Sequence, residues 1–290
     1  MMNGKKGTIL AYRLIPKSLL SRIFGSLTRV PLPGGLIDRI ISWYSRKYGI
    51  IDEYVTPPGG FRTVNEFFTR ELRPGSRKTD RSPGALVSPV DARVDQFGRI
   101  TEGAVIQAKG LDYPAEELVP SEMSRRLRKG SFITLYLSPG DYHRIHSPVQ
   151  GSIAGFFSIP GTLFTVQDFM VRGLPGLFVK NERLITYIET SNGLISVCKI
   201  GAMNVGRISL SYGLPGEKPV ITNRTFRKRR EVLFNPGRQI SVSAGDELAR
   251  FNLGSTVIIL TEIPVQFVDI APGRKVKMGE LIGRFNGKTG

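Results

Sequence analysis

The chain has 290 residues, of which 40% are hydrophobic, and its 41 Lys and Arg residues outnumber its 24 Asp and Glu residues to give a formal net charge of +17. This composition allows a substantial core and excludes a collagen-like, low-complexity or broadly disordered chain. The single cysteine, Cys198, excludes an internal disulfide framework and a cysteine-rich zinc site, and the charge indicates an anionic partner, either nucleic acid or phospholipid.

Two basic amphipathic helices are predicted in the first 50 residues, where nine Lys and Arg residues and one Asp give a local charge of +8. Their apolar residues recur at helical spacing in two stripes: Leu19, Leu20, Ile23, Phe24 and Leu27, and then Ile37, Ile40, Ile41 and Tyr44 with Trp43 beside them. Such helices fit the surface of an anionic membrane. The alternative is that both helices pack on their own domain. We place this membrane-association region at residues 1–60.

The rest of the chain, residues 61–290, is predicted to be one catalytic domain. Thr63 and Glu66 have the spacing of a capping box, which predicts a third helix from Val64 to Leu72, and Ser121–Lys129 is a further short helix. From about residue 85, short apolar runs between Gly and Pro predict strands at Phe132–Leu137, Leu184–Glu189, Leu194–Ile200, Gln239–Val242, Ser255–Thr261 and Val265–Ile270. Strands and helices do not alternate regularly. The predicted fold class is therefore α+β, with N-terminal amphipathic helices before a largely antiparallel β-rich core that has a few helices.

The chain has two histidines, His143 and His146, and both lie in one Pro-bounded segment that follows an apolar strand. Loops on a rigid scaffold often carry catalytic groups, whereas a lone histidine is usually structural. A metal site would need further ligands, and no other His or Cys cluster supplies them, so no metal is predicted. Acid–base chemistry is the favoured role of the pair.

An acid–base histidine often works with a carboxylate that orients it and a nucleophile that loses a proton to it. Asp91 ends the segment Ser88-Pro89-Val90-Asp91 and is a candidate carboxylate, although the same position suits a turn-capping residue. Ser255 follows Gly254 at the start of a strongly apolar strand and is a candidate nucleophile, although the pattern also fits an ordinary strand start. The segment is not a Gly-x-Ser-x-Gly nucleophile elbow.

Five segments in this order resemble the phosphatidylserine decarboxylase family. They are Phe61–Gly75, Ser88–Asp91, Asp141–His146, Gly201–Gly206 and Leu253-Gly254-Ser255-Thr256. Any one of them is a weak signal, but the ordered set over residues 61–285 is specific.

The resemblance implies a membrane-associated, pyruvoyl-dependent enzyme that is made as a proenzyme and cuts itself between Gly254 and Ser255. The products would be a β chain, 1–254, and an α chain, 255–290, held together as a heterodimer. Asp91, His146 and Ser255 would form the self-cleavage triad, and His143 would serve decarboxylation. The Ser255 hydroxyl would attack the Gly254 carbonyl, and elimination from the resulting ester followed by hydrolysis would leave a covalent pyruvoyl group and release ammonia. That group would form a Schiff base with the amine of phosphatidylserine and accept the electrons released with CO2, giving phosphatidylethanolamine.

The implied partners are phosphatidylserine and an anionic membrane surface, at the cytoplasmic side of the cell membrane as a peripheral protein. Nucleic acid is not predicted, because none of its recognised binding modules appears. A higher homo-oligomer is left open. Two other classes of function remain at this point: a serine hydrolase that uses the same Asp, His and Ser on external acyl substrates, and a non-enzymatic β-rich module that binds anionic membranes.

Overall fold

The computed structural model describes residues 17–108, 111–203, 207–213, 220–222, 228–252 and 256–285. The α-helices in these residues are α1 (Lys17–Leu27), α2 (Gly34–Tyr48), α3 (Val64–Phe68), α4 (Ala115–Leu118), α5 (Asp168–Val171) and α6 (Leu177–Lys180). Two 3₁₀ helices, Glu122–Leu127 and Pro236–Arg238, add single turns.

The other regular elements of the described residues are antiparallel strands. They are β1 (Ala85–Val87), β2 (Ala92–Arg99), β3 (Ala104–Ala108), β4 (Leu111–Pro114), β5 (Ser131–Tyr136), β6 (Arg144–His146), β7 (Gly151–Ile159), β8 (Arg183–Thr190), β9 (Gly193–Ile200), β10 (Ile208–Leu210), β11 (Arg230–Leu233), β12 (Ile240–Val242), β13 (Glu247–Phe251), β14 (Thr256–Thr261), β15 (Val265–Phe267), β16 (Lys275–Val276) and β17 (Leu281–Phe285).

The main sheet has the strand order β11-β7-β8-β9-β14-β5-β2-β16, and β12 also pairs with β7. Three smaller sheets accompany it: β1-β17-β15, β10-β13-β6 and β3-β4. Strand β14 lies in the middle of the main sheet, where Val257 pairs with Leu135 on β5 and with Lys199 on β9. Its side chains from Val257 to Leu260 are fully buried, because both faces of this strand are covered. That explains why its sequence is continuously apolar rather than alternating.

The predicted α+β class, with N-terminal helices and a β-rich antiparallel core, is confirmed. Strands lie at all six predicted runs, with ends that coincide or differ by up to three residues. The predicted helix Val64–Leu72 was too long, because α3 ends at Phe68 and Leu72 forms a bridge with Tyr54. Its capping box is present, since the Thr63 hydroxyl accepts from the Glu66 N–H at 3.0 Å. The predicted helix at Ser121–Lys129 is a 3₁₀ helix instead.

The two N-terminal apolar stripes have different surroundings. On α2, Ile37 is fully buried and Tyr44 lies edge-on to Phe67 with 6.2 Å between ring centroids, so this stripe packs on the catalytic core. On α1, Ile23, Phe24 and Leu27 are exposed, with Leu27 at 63%. The side chains of Leu19 and Leu20 lie outside the described set. Within the described ranges, no helix combines the length and the apolar character that crossing a membrane requires.

Candidate active site

The two histidines lie where a tight loop connects β5 to β6: His143 ends the loop and His146 ends β6. We call residues 137–146 the histidine loop. The loop begins with a turn in which the Asp141 carboxylate accepts from the Ser138 N–H at 2.6 Å. Strand β6 then pairs with β13, and the Phe251 N–H donates to the His143 carbonyl at 2.9 Å. This pairing places the residues that precede the Leu253-Gly254-Ser255 segment beside the histidine loop.

His143 is fully buried, and its ring stacks on Phe68 with 4.0 Å between centroids and 12° between planes. Its Nε2 lies 3.4 Å from the Pro139 carbonyl oxygen, whereas its Nδ1 has no hydrogen-bond partner among the described residues. Burial, with a smaller contribution from the Arg70 charge, lowers the pKa of His143 to about 3. The ring is therefore neutral near pH 7. With its proton on Nε2, it presents Nδ1 as a proton acceptor.

His146 is also buried, but its ring nitrogens both have partners. Nδ1 lies 2.7 Å from the Gly245 carbonyl oxygen and must donate to it, because a carbonyl can only accept. The proton on Nδ1 leaves a lone pair on Nε2, and the Tyr142 hydroxyl donates to it at 3.0 Å. Burial lowers the pKa of His146. His146 is thus a neutral base with a fixed tautomer, and its reactive nitrogen is held by a phenol.

Asp91 lies in the turn between β1 and β2, next to the histidine loop, and its carboxylate binds an arginine. Arg77 donates from Nη2 to Oδ2 at 2.5 Å and from Nε to Oδ1 at 3.1 Å, and the Met278 N–H adds a bond to Oδ1 at 2.8 Å. The link from this turn to His146 runs through the main chain, since the His146 N–H donates to the Pro89 carbonyl at 2.9 Å. The Asp91 charge acts on His146 at longer range, where it raises the pKa of the imidazole against the larger effect of burial.

Gly254 and Ser255, the predicted cleavage site, lie outside the described residues, as do Leu253 and the motif residues Asn204–Gly206. The residues on each side of the cleavage site are held firmly. Asn252 donates from its N–H and from Nδ2 to the Arg207 carbonyl, at 3.1 and 3.0 Å. Thr256 starts β14 between Tyr136 and Ile200, and its buried hydroxyl has no partner in the described part of the chain.

A further buried carboxyl lies at this end of the main sheet. Arg183, Ile200 and Thr256 form one row across β8, β9 and β14, and Glu182 directly precedes that row. The Gly201 N–H donates to the Glu182 carbonyl oxygen at 2.7 Å. Burial raises the pKa of the Glu182 carboxyl to about 7. No sequence pattern singled out this residue.

Other contacts of the site were also missed by sequence reasoning. Phe68 and Arg70 lie inside the Phe61–Gly75 segment, whose resemblance was the one available signal, whereas Arg77 and Gly245 had none. All four act across long sequence separations, which a local pattern does not encode. Among the described residues, no group of three or more His, Cys, Asp or Glu side chains is arranged to hold a metal ion.

Two neutral buried imidazoles and a buried carboxylate, gathered where the Ser255 segment begins, define an enzyme of the acid–base class. Comparison with known proteins supports an enzymatic function and identifies the family. The family model described as phosphatidylserine decarboxylase matches residues 64–284. The phosphatidylserine decarboxylase proenzyme of Anaeromyxobacter sp. (strain K) is 40% identical over 285 residues, covering 95% of this chain and 97% of that protein.

Two more relatives have the same printed name. The protein of Halorhodospira halophila is 40% identical, covering 93% of this chain and 91% of its own, and that of Ectopseudomonas mendocina is 35% identical, covering 95% and 96%. The chain therefore belongs to the phosphatidylserine decarboxylase family, and its class is carboxy-lyase. The family predicted from the five sequence segments is confirmed.

Proposed function

We propose that this chain is a proenzyme that cuts itself between Gly254 and Ser255 and then converts phosphatidylserine to phosphatidylethanolamine and CO2 at a pyruvoyl group made from Ser255. One observation carries the proposal: β13 ends at Phe251, whose N–H donates to the His143 carbonyl, and β14 begins at Thr256, which pairs with Tyr136 at the end of β5. The described residues before and after the cleavage segment therefore lie on strands that adjoin the histidine loop.

Maturation needs a base for the Ser255 hydroxyl, and the contacts of His146 suit it to that role. Its Nδ1–H is committed to Gly245, so Nε2 is the atom that takes the proton. The Tyr142 hydroxyl on Nε2 either moves aside or passes the proton along. Asp91 supports the charge that forms on His146 from a distance, and Arg77 fixes its carboxylate. In this scheme Asp91 is an electrostatic partner rather than a direct ligand of the imidazole.

Two buried polar atoms fit the presence of a pyruvoyl group. Nδ1 of His143 and Oγ1 of Thr256 both lack partners among the described residues. Thr256 directly follows the segment that would bear the group, and the His143 carbonyl accepts from the Phe251 N–H shortly before that segment. A buried polar atom without a partner costs free energy, so a ligand or a reacting group that supplies one is favoured there. The pyruvoyl ketone would supply the electrophile that binds the substrate amine and takes up the electrons released with CO2.

His143 would move one proton in each turnover. The substrate amine is an ammonium near pH 7 and must lose a proton before it can act as a nucleophile. The neutral Nδ1 of His143 takes that proton and later returns it to the carbon that has lost CO2, so the ring ends as it began. Stacking on Phe68 and the contact of Nε2 with Pro139 hold the ring in one orientation throughout.

The surface beside the site suits an anionic lipid. A cleft of about 170 Å³ runs from the end of α2 to Asp91, and its lining includes Arg70, Lys275 and Lys277. The exposed apolar side chains of α1 supply a surface that can enter the headgroup region. We place the protein at the cytoplasmic face of the cell membrane as a peripheral enzyme, with its two chains kept together by the β14–β5 and β14–β9 pairings.

The test compares the wild type with Ser255→Ala on vesicles that contain phosphatidylserine. The wild type should appear as two chains by intact mass and release CO2, and Ser255→Ala should remain one chain and release none. A wild-type protein that stays uncut and still releases CO2 would overturn the proposal. An uncut protein that hydrolyses acyl esters would instead support the serine hydrolase.

A further inference from the structure

Helix α2 donates a side-chain hydrogen bond to the histidine loop. Tyr44 lies on the inward stripe of the helix, and its hydroxyl donates to the Pro139 carbonyl oxygen at 2.8 Å across 95 residues of sequence. The same oxygen is the one that lies 3.4 Å from Nε2 of His143. A carbonyl oxygen has two lone pairs, so it can accept from the phenol and from the imidazole together.

The Pro139 carbonyl favours one tautomer of His143. Nε2 must be the protonated nitrogen to donate to it, and this leaves Nδ1 as the acceptor. The loop is held near this point by a second contact, because Nη2 of Arg70 donates to the carbonyls of Gly140 and Asp141 at 3.0 and 3.3 Å. Tyr44 is the group that acts on the Pro139 oxygen itself.

A neighbouring face of α2 is exposed and carries apolar and basic residues. Leu36 is 47% exposed and Trp43 is 53% exposed, and Nζ of Lys47 lies 4.8 Å above the Trp43 ring. An exposed Trp with basic neighbours is typical of a helix that lies in the headgroup region of a membrane. One helix therefore presents a lipid-compatible face outward and a hydrogen bond to the histidine loop inward.

We propose that Tyr44 is a positioning residue for decarboxylation: its hydroxyl holds the Pro139 carbonyl where it fixes the Nε2–H tautomer of His143. The helix that meets the lipid surface thereby also sets the state of the histidine that handles the substrate proton. This inference rests on the proposed role of His143. It gives Tyr44 no part in self-cleavage, because His146 has its own partners, Gly245 and Tyr142.

The experiment compares Tyr44→Phe with Tyr187→Phe. Both changes remove one phenolic oxygen and one hydrogen bond, but the Tyr187 hydroxyl donates to Glu231 Oε1 at 2.9 Å on the main sheet rather than to the histidine loop. Both variants should mature fully by intact mass. On phosphatidylserine vesicles, kcat of Tyr44→Phe should fall about 3- to 10-fold with KM unchanged, as expected for one lost hydrogen bond. Tyr187→Phe should keep the wild-type kcat.

A spectroscopic readout separates positioning from a general structural loss. Because the chain has two histidines, uniform ¹⁵N-histidine labelling reports on His143 and His146 alone. In Tyr44→Phe, the His143 nitrogens should change from a single Nε2–H tautomer toward a mixture, whereas the His146 nitrogens stay unchanged. If Tyr44→Phe does not fold, 3-fluorotyrosine at position 44, a stronger donor of the same shape, should change kcat while the tautomer is kept.

Unchanged kcat and unchanged His143 signals in a matured Tyr44→Phe protein would overturn the inference. So would equal losses of kcat in Tyr44→Phe and Tyr187→Phe, because both lose a phenolic hydrogen bond but only Tyr44 donates to the histidine loop. These outcomes differ from a failure of the proposed function, in which the wild type itself would stay uncut or release no CO2.

Discussion

The two sides of the histidine loop differ in what they are attached to. His146 faces the strand that leads to the cleavage segment, and its partners are Gly245, Tyr142 and, at a distance, the Arg77–Asp91 pair. His143 faces the N-terminal helices, and its neighbours are Phe68 and the Pro139 oxygen that Tyr44 holds. Two histidines three residues apart thus have separate environments, and this separation allows one to serve maturation and the other turnover.

The largest expected effect is on the His146 side. His146→Ala should accumulate the uncut 290-residue chain. The substitution removes the Nε2 lone pair that we propose as the base for the Ser255 hydroxyl, and the Tyr142 hydroxyl is then left without its acceptor. Gel electrophoresis over a time course measures it, with His143→Ala as the matched control that still matures. If His146→Ala is cut at the wild-type rate, His146 is not the base.

The next effect is on the His143 side. His143→Ala should mature but lose about 10²- to 10⁴-fold in kcat, the usual contribution of a general acid or base. CO2 release from phosphatidylserine vesicles measures it, on samples whose processing has been checked by mass. A block of self-cleavage as complete as that in His146→Ala would show that the two sides of the loop are not separate.

Breaking the Arg77–Asp91 ion pair tests whether it stabilises the part of the site around His146. Both side chains are about nine-tenths buried, so Arg77→Met leaves a buried carboxylate and should lower the free energy of unfolding by about 3 kcal/mol and slow maturation. The matched control is Arg73→Met, whose partner Asp52 is exposed, and it should cost less than about 1 kcal/mol. Chemical denaturation of the two variants measures the difference, and equal losses would contradict it.

The buried state of His143 predicts a pH dependence of stability. Its pKa is about 3 in the folded chain and about 6.5 when unfolded, so the unfolded chain binds a proton that the folded chain does not as pH falls below 6.5. The free energy of unfolding therefore decreases as the pH is lowered through that window, and His143 alone accounts for a loss of about 2 kcal/mol at pH 5 relative to neutral pH. His143→Gln should show a correspondingly shallower fall between pH 7 and 5. Parallel stability curves would mean that the ring is solvated.

The smallest effect concerns the exposed face of α1. Replacing Ile23, Phe24 and Leu27 with Ser should weaken binding to anionic vesicles and leave self-cleavage unchanged, because these side chains are exposed and far along the chain from His146. Leu233→Ser, an equally exposed apolar residue on β11, is the control. Vesicle sedimentation at low and high salt measures binding. Equal vesicle binding by the wild type, the α1 variant and Leu233→Ser would show that α1 does not contact the membrane.

Sequence patterns predicted the elements whose residues are locally distinctive. The apolar run in β14 and the capping box of α3 are examples, whereas β2 and β7 were missed because their polar and glycine residues interrupt the apolar pattern. The two N-terminal stripes look alike in sequence, and only tertiary contacts show that the Tyr44 stripe is covered and the Phe24 stripe is not.

The candidate site was predicted through its resemblance to a family, but its electrostatics were not. Nothing local in the sequence shows that Asp91 pairs with Arg77 or that His146 donates to Gly245, because these partners come from distant segments. The pKa of His143 likewise depends on burial under Phe68, which is 75 residues away in the sequence.

The most direct test of the central claim is the mass of the small chain released from the wild-type protein. Cleavage between Gly254 and Ser255 with pyruvoyl formation predicts a fragment of residues 255–290 that is lighter, by one ammonia, than the same peptide with an N-terminal serine. It also predicts that Edman degradation of this fragment is blocked. A fragment with the full serine mass and a free amine would show simple proteolysis and contradict the account.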